Sequence, residues 1–171
     1  MAEVEIFTPA GVLAGSTDRI PLASDDPDLD APLAVQDARW FPLDGAPATQ
    51  RGSVTVLPDD ILVIVADEPE LMMHMTWYAV ALDVGPYRLF GRLPVHPGYD
   101  PERSIARPGG SFVALSEVTI EVAGSDRAAT ATRPHVLVNR FSVDSVTSTL
   151  MLGHFFPGAR LIAQEAAAPV A

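Results

Sequence analysis

The sequence contains no cysteine, no lysine and no long apolar run. Without cysteine the chain has no disulfide framework, no thiol nucleophile and no thiolate metal site. Without a run of about 18 apolar residues, it has no segment that would cross a membrane as a helix. The N-terminus carries Glu3 and Glu5 where a secretory signal would carry basic residues. We therefore expect a cytoplasmic protein without membrane association, stabilised by the packing of its core.

Recognisable catalytic motifs are also missing. The sequence has no G-x-S-x-G and no H-E-x-x-H pattern, and its four histidines are scattered along the chain. A small-molecule enzyme of unknown class is therefore only a third alternative among the functions considered. We expect no catalytic residues and no cofactor.

Acidic residues are concentrated in one part of the chain. Residues 1–75 hold three arginines and fourteen carboxylates, a net charge of −11, whereas residues 76–171 hold eight of each, a net charge of zero. Because affinity for nucleic acid depends on the neutralisation of phosphates by cations, the first part would repel a polyanion. The composition therefore disfavours nucleic acid as a partner.

Two pairs of segments repeat along this chain of 171 residues, 48% of which are hydrophobic. Residues 54–65 and 135–146 each hold two short apolar runs on either side of a polar break. Residues 4–15 and 80–91 are of equal length, and each has one glycine inside and another at its end. The pattern predicts one small β unit that is used twice, with enough apolar residues for a packed core.

Alternating apolar and polar residues predict the strands, and glycine and proline predict the turns between them. We expect hairpins that turn at Pro9-Ala10-Gly11 and at Gly85-Pro86. Further strands are expected at residues 40–43, 54–65, 112–115, 118–122 and 136–146. Irregular segments are expected at residues 21–38, 44–53 and 94–111. The residues that we expect to be buried in the core are Ile61, Val63, Val143 and Val146.

Two of the irregular segments carry charges without a complete binding motif. Residues 21–38 hold four aspartates but lack the glycine and the closing glutamate of a calcium loop. Residues 94–111 hold Arg103 and Arg107 near a glycine pair, but they lack a glycine-rich phosphate motif followed by a helix. We favour solvated loops for both segments and expect no metal site.

The arrangement of segments in each copy resembles the small five-stranded barrels of the Sm and Sm-like (LSm) superfamily. Each copy has a strand, a glycine turn, a strand that ends in glycine, a middle strand, and two short strands joined by a polar break. Residues 137–146 (LVNRFSVDSV) are similar to the V-N-x-x-x-I-x-x-V strand pair of uncharacterised bacterial Sm-like domains. The resemblance covers residues 4–65 and 78–147 and implies a mainly all-β chain of two tandem barrels.

A short helix is expected between the two barrels. Asp67 and Glu70 have the spacing of a capping box, and proline is tolerated in a first helical turn. The expected organisation is a first Sm-like unit at residues 1–67, a helical junction at 68–77, a second unit at 78–148, and an apolar tail with an alanine-rich end at 149–171.

The resemblance also implies where nucleic acid would bind. The family contact lies at the polar break before the last strand, which here is Asn139-Arg140 in the second copy and Pro58-Asp59-Asp60 in the first. Neither copy has the aspartate and asparagine pairing of the family's first motif, so uracil recognition is not implied. For Asn139 we favour the role of a turn residue.

The tail after the second unit carries several large apolar residues, including Leu150, Leu152, Phe155 and Phe156. Such a segment is expected to dock, either on the first barrel of its own chain or on a second molecule, and to add a strand to a barrel edge. We expect a non-catalytic interaction or assembly module that binds protein partners or itself through barrel edges and this tail. The alternative is an RNA-binding Sm-like protein that uses the second barrel.

Overall fold

The computed structural model describes residues 1–18, 31–66, 75–95, 110–124 and 132–164, and these ranges form an all-β structure. The mainly β prediction is therefore confirmed. Within these ranges the only helical element is a single 3-10 turn at Pro58–Asp60. The strands are β1 (Ala2–Thr8), β2 (Gly11–Thr17), β3 (Leu33–Pro42), β4 (Thr49–Val56), β5 (Val63–Ala66), β6 (Thr76–Val84), β7 (Tyr87–Val95), β8 (Phe112–Val122), β9 (Thr132–Asn139), β10 (Val143–Ser148) and β11 (Arg160–Ala163).

These strands form one continuous sheet in the order β11-β10-β6-β7-β8-β9-β5-β1-β2-β3-β4. Every neighbouring pair is antiparallel except β10 and β11, which are parallel. The first half, β1 to β5, has the order β5-β1-β2-β3-β4, and the second half, β6 to β10, has the corresponding order β10-β6-β7-β8-β9. The halves meet where β5 pairs with β9.

The junction strands are buried on both faces. All four residues of β5 are buried, and so are the last four residues of β9. Val63 and Val65 contribute to one hydrophobic core, whereas Ile64 and Ala66, which point to the other face, contribute to a second. Successive side chains of a strand point to opposite faces. A strand that has a core on each face, such as β5, therefore needs an apolar residue at every position. The two halves therefore curl around separate cores on opposite faces of one sheet.

Each core also receives residues from the other half of the chain. The first core is built mainly from β1 to β5 and is completed by Phe112 and Leu137 of the second half. The second core is built mainly from β6 to β10 and is completed by Phe7, Val63 and Val65 of the first. Since each half supplies part of the other's core, the halves are parts of one packed structure.

The prediction of two separate closed barrels is not supported, because the described strands form a single open sheet. The halves are joined by strand pairing between β5 and β9. Most of the predicted helical junction at 68–77 lies outside the described residues, and the described Thr76 and Trp77 begin β6. The helix prediction rests on a local capping pattern alone. Thr76 and Trp77 are in a strand because their neighbours are residues of β7, which are distant in sequence.

Two strands extend into segments that were predicted to be irregular. β3 begins at Leu33, and its buried residues Leu33, Val35 and Ala38 do not alternate strictly, because an irregularity lies between Val35 and Ala38. Asp37 has a φ of 51° at this point, so one extra residue breaks the period of two. β4 begins at Thr49, and most of its side chains are exposed. Its first five residues contain no apolar residue, so they show no alternation that would predict a strand.

Several local predictions are confirmed. Both hairpins turn where glycine and proline predicted, and Ile61, Val63, Val143 and Val146 are all buried. The two strands expected at 112–115 and 118–122 are one strand, β8, with an irregularity opposite β7 and a φ of 52° at Glu117. The aspartates at 25–30 and the arginines at 103 and 107 lie outside the described residues.

Candidate interaction surface

The sheet has two ends, and β4 forms one of them. Its inner edge pairs with β3, and within the described ranges no strand lies beside its outer edge. The side chains from Thr49 to Ser53 are exposed, and so is Thr55. Unpaired backbone groups at a sheet edge can pair with another chain, so β4 is a candidate contact strand.

The other end of the sheet is covered by the chain's own tail. β11 runs parallel to β10, with Ser145 opposite Arg160 and Ser148 opposite Ala163. Leu152 and Phe156, which precede β11, have no exposed surface and complete the second core. Phe155 and Leu150 are half-buried against the same core. Their hydrophobic side chains are withdrawn from water, which explains why the tail docks.

The docking of the tail agrees in part with what the sequence predicted. An extended segment does add a strand to a sheet edge, but this strand is Arg160–Ala163, just beyond the apolar residues. The tail pairs with the second half of its own chain and joins the core that is built mainly from that half. Within the alanine-rich end, Ala163 is the last residue of β11, and residues 165–171 lie outside the described part.

The junction between the halves is another strand-edge contact. Val63 lies opposite Val138, and the Phe7 and Tyr87 rings meet edge to face with centroids 5.2 Å apart. The Tyr87 hydroxyl is 2.8 Å from the carbonyl oxygen of Thr8 and 3.1 Å from that of Gly11, and it donates its proton to this pair. Burial raises the pKa of Tyr87 well above its ordinary value, because the charged phenolate would lose its hydration there.

Corresponding positions in the two halves can be compared through their first hairpins. The pair Thr8 and Gly11 closes one turn and the pair Val84 and Tyr87 closes the other, so Phe7 corresponds to Asp83. Phe7 pairs with Val63, and its counterpart Asp83 pairs with Ser145. Val63 therefore corresponds to Ser145. By the same register Val65 corresponds to Thr147. Apolar residues that are buried at the junction thus have polar counterparts in the second half.

Two of these polar counterparts, Asp83 and Thr147, line a groove of about 510 Å³ on the outer face of the second half, the face opposite its core. We call it the outer groove. Its lining includes the small residues Ala79, Ala81 and Gly91. The exposed apolar side chains of Phe90 and Ile162 also line it. The outer groove is therefore an open, partly apolar surface formed by β6, β7, β10 and β11.

Three charged residues line the outer groove: Asp83, Arg88 and Arg160. Arg88 Nε donates to Asp83 Oδ1 at 2.7 Å, and Ser145 Oγ donates to Asp83 Oδ2. The hydrogen bond from Arg88 holds the pKa of Asp83 below its ordinary value; burial opposes this effect, and the hydrogen bond from Ser145 supports it. In return, Asp83 raises the pKa of Arg88. Arg160 makes no salt bridge with any described residue.

Asn139 and Arg140, the residues predicted for a nucleic-acid contact, are buried. Asn139 Nδ2 donates to the Ile61 carbonyl oxygen at 3.1 Å, and its Oδ1 accepts from the Phe141 N–H, also at 3.1 Å. This second bond is that of an Asx turn and confirms the interpretation of Asn139 as a turn residue. Arg140 Nη2 donates to the His154 carbonyl oxygen at 2.9 Å. Both side chains therefore bind backbone oxygens of their own chain.

The polar breaks of the two halves lie side by side. A cleft of about 180 Å³ is lined by Pro58 and Asp59 of the first break and by Asn139, Phe141 and Ser142 of the second. They are brought together because the Asn139 N–H donates to the Leu62 carbonyl oxygen at 2.9 Å. The carboxylate at this cleft would repel a phosphate group.

The charged residues of the outer groove were not singled out in the sequence. Asp83, Arg88 and Arg160 come from three different strands, and each occupies an ordinary polar position of its own strand. A sequence signal would have required the strand pairing to be known. The predicted tail residues, by contrast, had a local signal, because four large apolar residues stand close together.

Among the described residues, no group of histidine, aspartate or glutamate side chains has the arrangement of a metal site. The same residues contain no helix that is long and apolar enough to cross a membrane. Comparisons with protein-family models, with curated proteins and with solved structures gave no match. The geometry of this chain is therefore the basis of the function proposed below.

Proposed function

We propose that the protein is a non-catalytic interaction module that binds an extended protein segment, from a partner or from a second copy, along the outer edge of β4. One observation carries this proposal. The sheet is open, its β10 end is occupied by β11, and no described strand occupies its β4 end. In strand addition, backbone hydrogen bonds supply affinity and the neighbouring side chains supply specificity.

The construction of the molecule supports this mode of binding. Its halves are joined by edge pairing between β5 and β9, and its tail is held partly by edge pairing between β10 and β11. β4 contains no proline, and Arg51 is its only charged residue, so its composition does little to prevent pairing. A bulge near Gly52, which has a φ of 71°, leaves residues 53–56 as the more regular part of the edge.

The Sm-like origin of the chain and the duplication of one unit belong to the same proposal. Their support is the corresponding strand order of the two halves. RNA binding by the second half is the competing proposal. It draws less support from the geometry, because Arg140 is buried against backbone oxygens and Asp59 lies at the adjacent cleft.

The absence of cysteine makes a site-specific crosslinking test direct. A Thr55→Cys variant carries a photoactivatable crosslinker on the exposed β4 edge. The matched control is Ala34→Cys, which lies opposite Thr55 but on β3, one strand further in. After irradiation in extract of the native cell, we expect a discrete adduct from position 55 and none from position 34. Mass spectrometry then identifies the crosslinked molecule.

The outcomes of this test separate the proposals. An adduct that joins position 55 to one protein segment or to a second copy supports the proposed function. Equal, diffuse labelling from both positions, or no adduct from either, contradicts it. An adduct that disappears on ribonuclease treatment favours the RNA-binding alternative.

A further inference from the structure

We propose that the outer groove binds an acidic peptide segment whose carboxylate is held by Arg160, with Arg88 beside it, and whose apolar side chain lies between Phe90 and Ile162. This inference rests on the proposed function as an interaction module, and it adds a second contact surface with a stated partner chemistry. The groove is separated from the β4 edge by most of the sheet.

The outer groove lies on a face that, in the first half, is a contact with the rest of the protein. In the first half, the corresponding face carries Phe7, Val63 and Val65, and it is covered by the second half. In the second half, the same place is open and has a volume of about 510 Å³. A surface that is a protein contact in one half is thus exposed in the other, with its chemistry changed from apolar to polar.

The two arginines of the outer groove differ in their partners. Arg88 is engaged by Asp83, whereas Arg160 makes no salt bridge within the described ranges. Arg88 is matched by Asp83 and also lies opposite Glu121 on β8, so Arg160 is the guanidinium of the groove that is left for a ligand. A guanidinium presents parallel N–H donors that match the two oxygens of a carboxylate. The partner that completes this arrangement is a single carboxylate.

The apolar part of the outer groove favours a peptide over a nucleic acid. Phe90 is 42% exposed and Ile162 is 40% exposed, which is unusual for side chains of this size. Near them, the small residues Ala79 and Ala81 leave room for a backbone to approach closely. A strand that carries an acidic and an apolar residue two positions apart would present both to the groove, because side chains at i and i+2 share one face, whereas a phosphate chain would also meet the Asp83 carboxylate.

The test uses a synthetic probe and the full chain. The probe is a fluorescein-labelled peptide in which glutamate and valine take turns at every second position, with threonine between them, so that both face the groove; its control has glutamine in place of glutamate. Binding is measured by fluorescence anisotropy at low salt. We expect the glutamate peptide to bind at least tenfold more tightly than the glutamine peptide, and Arg160→Gln to remove this difference.

Two further variants make the result specific to the groove. Arg92→Gln removes an arginine that lies on β7 and pairs with Glu117 at 3.2 Å, outside the outer groove, so it should leave binding unchanged. Ala79→Trp fills the groove from an exposed position without altering a charge and should weaken binding at least tenfold.

The proposal is overturned if the native chain binds both peptides equally, or if Arg160→Gln and Arg92→Gln weaken binding to the same extent. It is also overturned if an oligouridine probe binds more tightly than the peptide and loses that binding in Arg160→Gln. Crosslinking from position 55 does not depend on Arg160. A surviving adduct together with failed peptide binding would therefore reject this inference alone.

Discussion

The two halves of the molecule have corresponding strand orders but opposite outer faces. The outer face of the first half carries Phe7 and Val65 and packs against the core of the second half. The corresponding face of the second half carries Asp83 and Thr147 and lines an open groove. The same backbone arrangement thus serves as an internal junction in one half and as an exposed surface in the other.

This difference disfavours the packing of another unit on the second half in the way that the second half packs on the first. Such a unit would have to cover Asp83 and Thr147, and even a paired charge such as Asp83 with Arg88 is costly to remove from water. The β10 edge is instead covered by the short strand β11, whose side chains are mostly exposed. The second half thereby keeps a polar outer face that another molecule can reach.

The largest expected effect comes from placing a charge at the two corresponding positions. Val65→Asp should lower the free energy of unfolding by about 4 kcal/mol or more, because the new carboxylate would be buried without a partner. Thr147→Asp should lower it by less than about 1 kcal/mol, because its side chain faces the open groove. Urea denaturation followed by circular dichroism measures both, and equal midpoints would show that the two faces do not differ as described.

A second comparison concerns the tail, which completes the core of the second half only. Phe156→Ala should cost about 3 to 5 kcal/mol, since the ring is fully buried. Phe141→Ala is the control, because Phe141 is exposed and its loss should cost less than about 0.5 kcal/mol. Thermal unfolding measures both variants.

Truncation after Thr149 extends the test of the tail. Sedimentation of the shorter chain should give the same oligomeric state and a lower melting temperature. A dissociated oligomer would instead mean that the tail also contacts a second molecule. A chain unchanged in both respects would contradict the assignment of the tail to the core.

A smaller effect is expected at the hydrogen bond between the halves. Tyr87→Phe should lower the free energy of unfolding by about 1 to 2 kcal/mol, because the carbonyl oxygens of Thr8 and Gly11 lose the hydrogen bond from the hydroxyl, although Gly11 keeps the one from Thr8 Oγ1. The pKa of Tyr87 is raised in the folded state. Its contribution to the free energy of unfolding is therefore present below about pH 10 and is lost as the pH rises above that value. Tyr87→Phe should therefore flatten the alkaline decline in stability. Tyr78→Phe, which removes a half-buried hydroxyl elsewhere on β6, should retain the decline of the native chain.

The smallest effect is expected at Asp83 in the outer groove. Its folded pKa is lowered, so its contribution to stability is present above about pH 4 and is lost as the pH falls through the folded value. Asp83→Asn should therefore give a shallower loss of stability in acid, measured by urea denaturation at several pH values. The effect is small because the pair with Arg88 is partly exposed and screened by solvent. An acid limb identical to that of the native chain would contradict the assignment.

Features that depend on neighbouring residues could be predicted from the sequence. Both hairpin turns, the strands at 54–65 and 136–146, and the burial of Ile61 and Val143 follow from local patterns of glycine, proline and apolar residues. The start of β3 could not be predicted, because the irregularity near Asp37 breaks the alternation. Among the candidate site residues, Asn139 had a turn signal, whereas Arg160 had none.

The sequence by itself determined that the chain is rich in strands, that similar segments recur, and that the large apolar side chains close together after 149, such as Leu152 and Phe156, are withdrawn from water. Only the tertiary structure decided which strand edges meet. The pairing of β5 with β9 converts two expected barrels into one open sheet and puts one face of each junction strand in each core. Apolar runs specify that a strand is buried on both faces, but they do not specify its partner, because backbone hydrogen bonds are alike along every edge. The partner is selected by side chains that are distant in sequence, such as Phe7 and Tyr87, when they pack together.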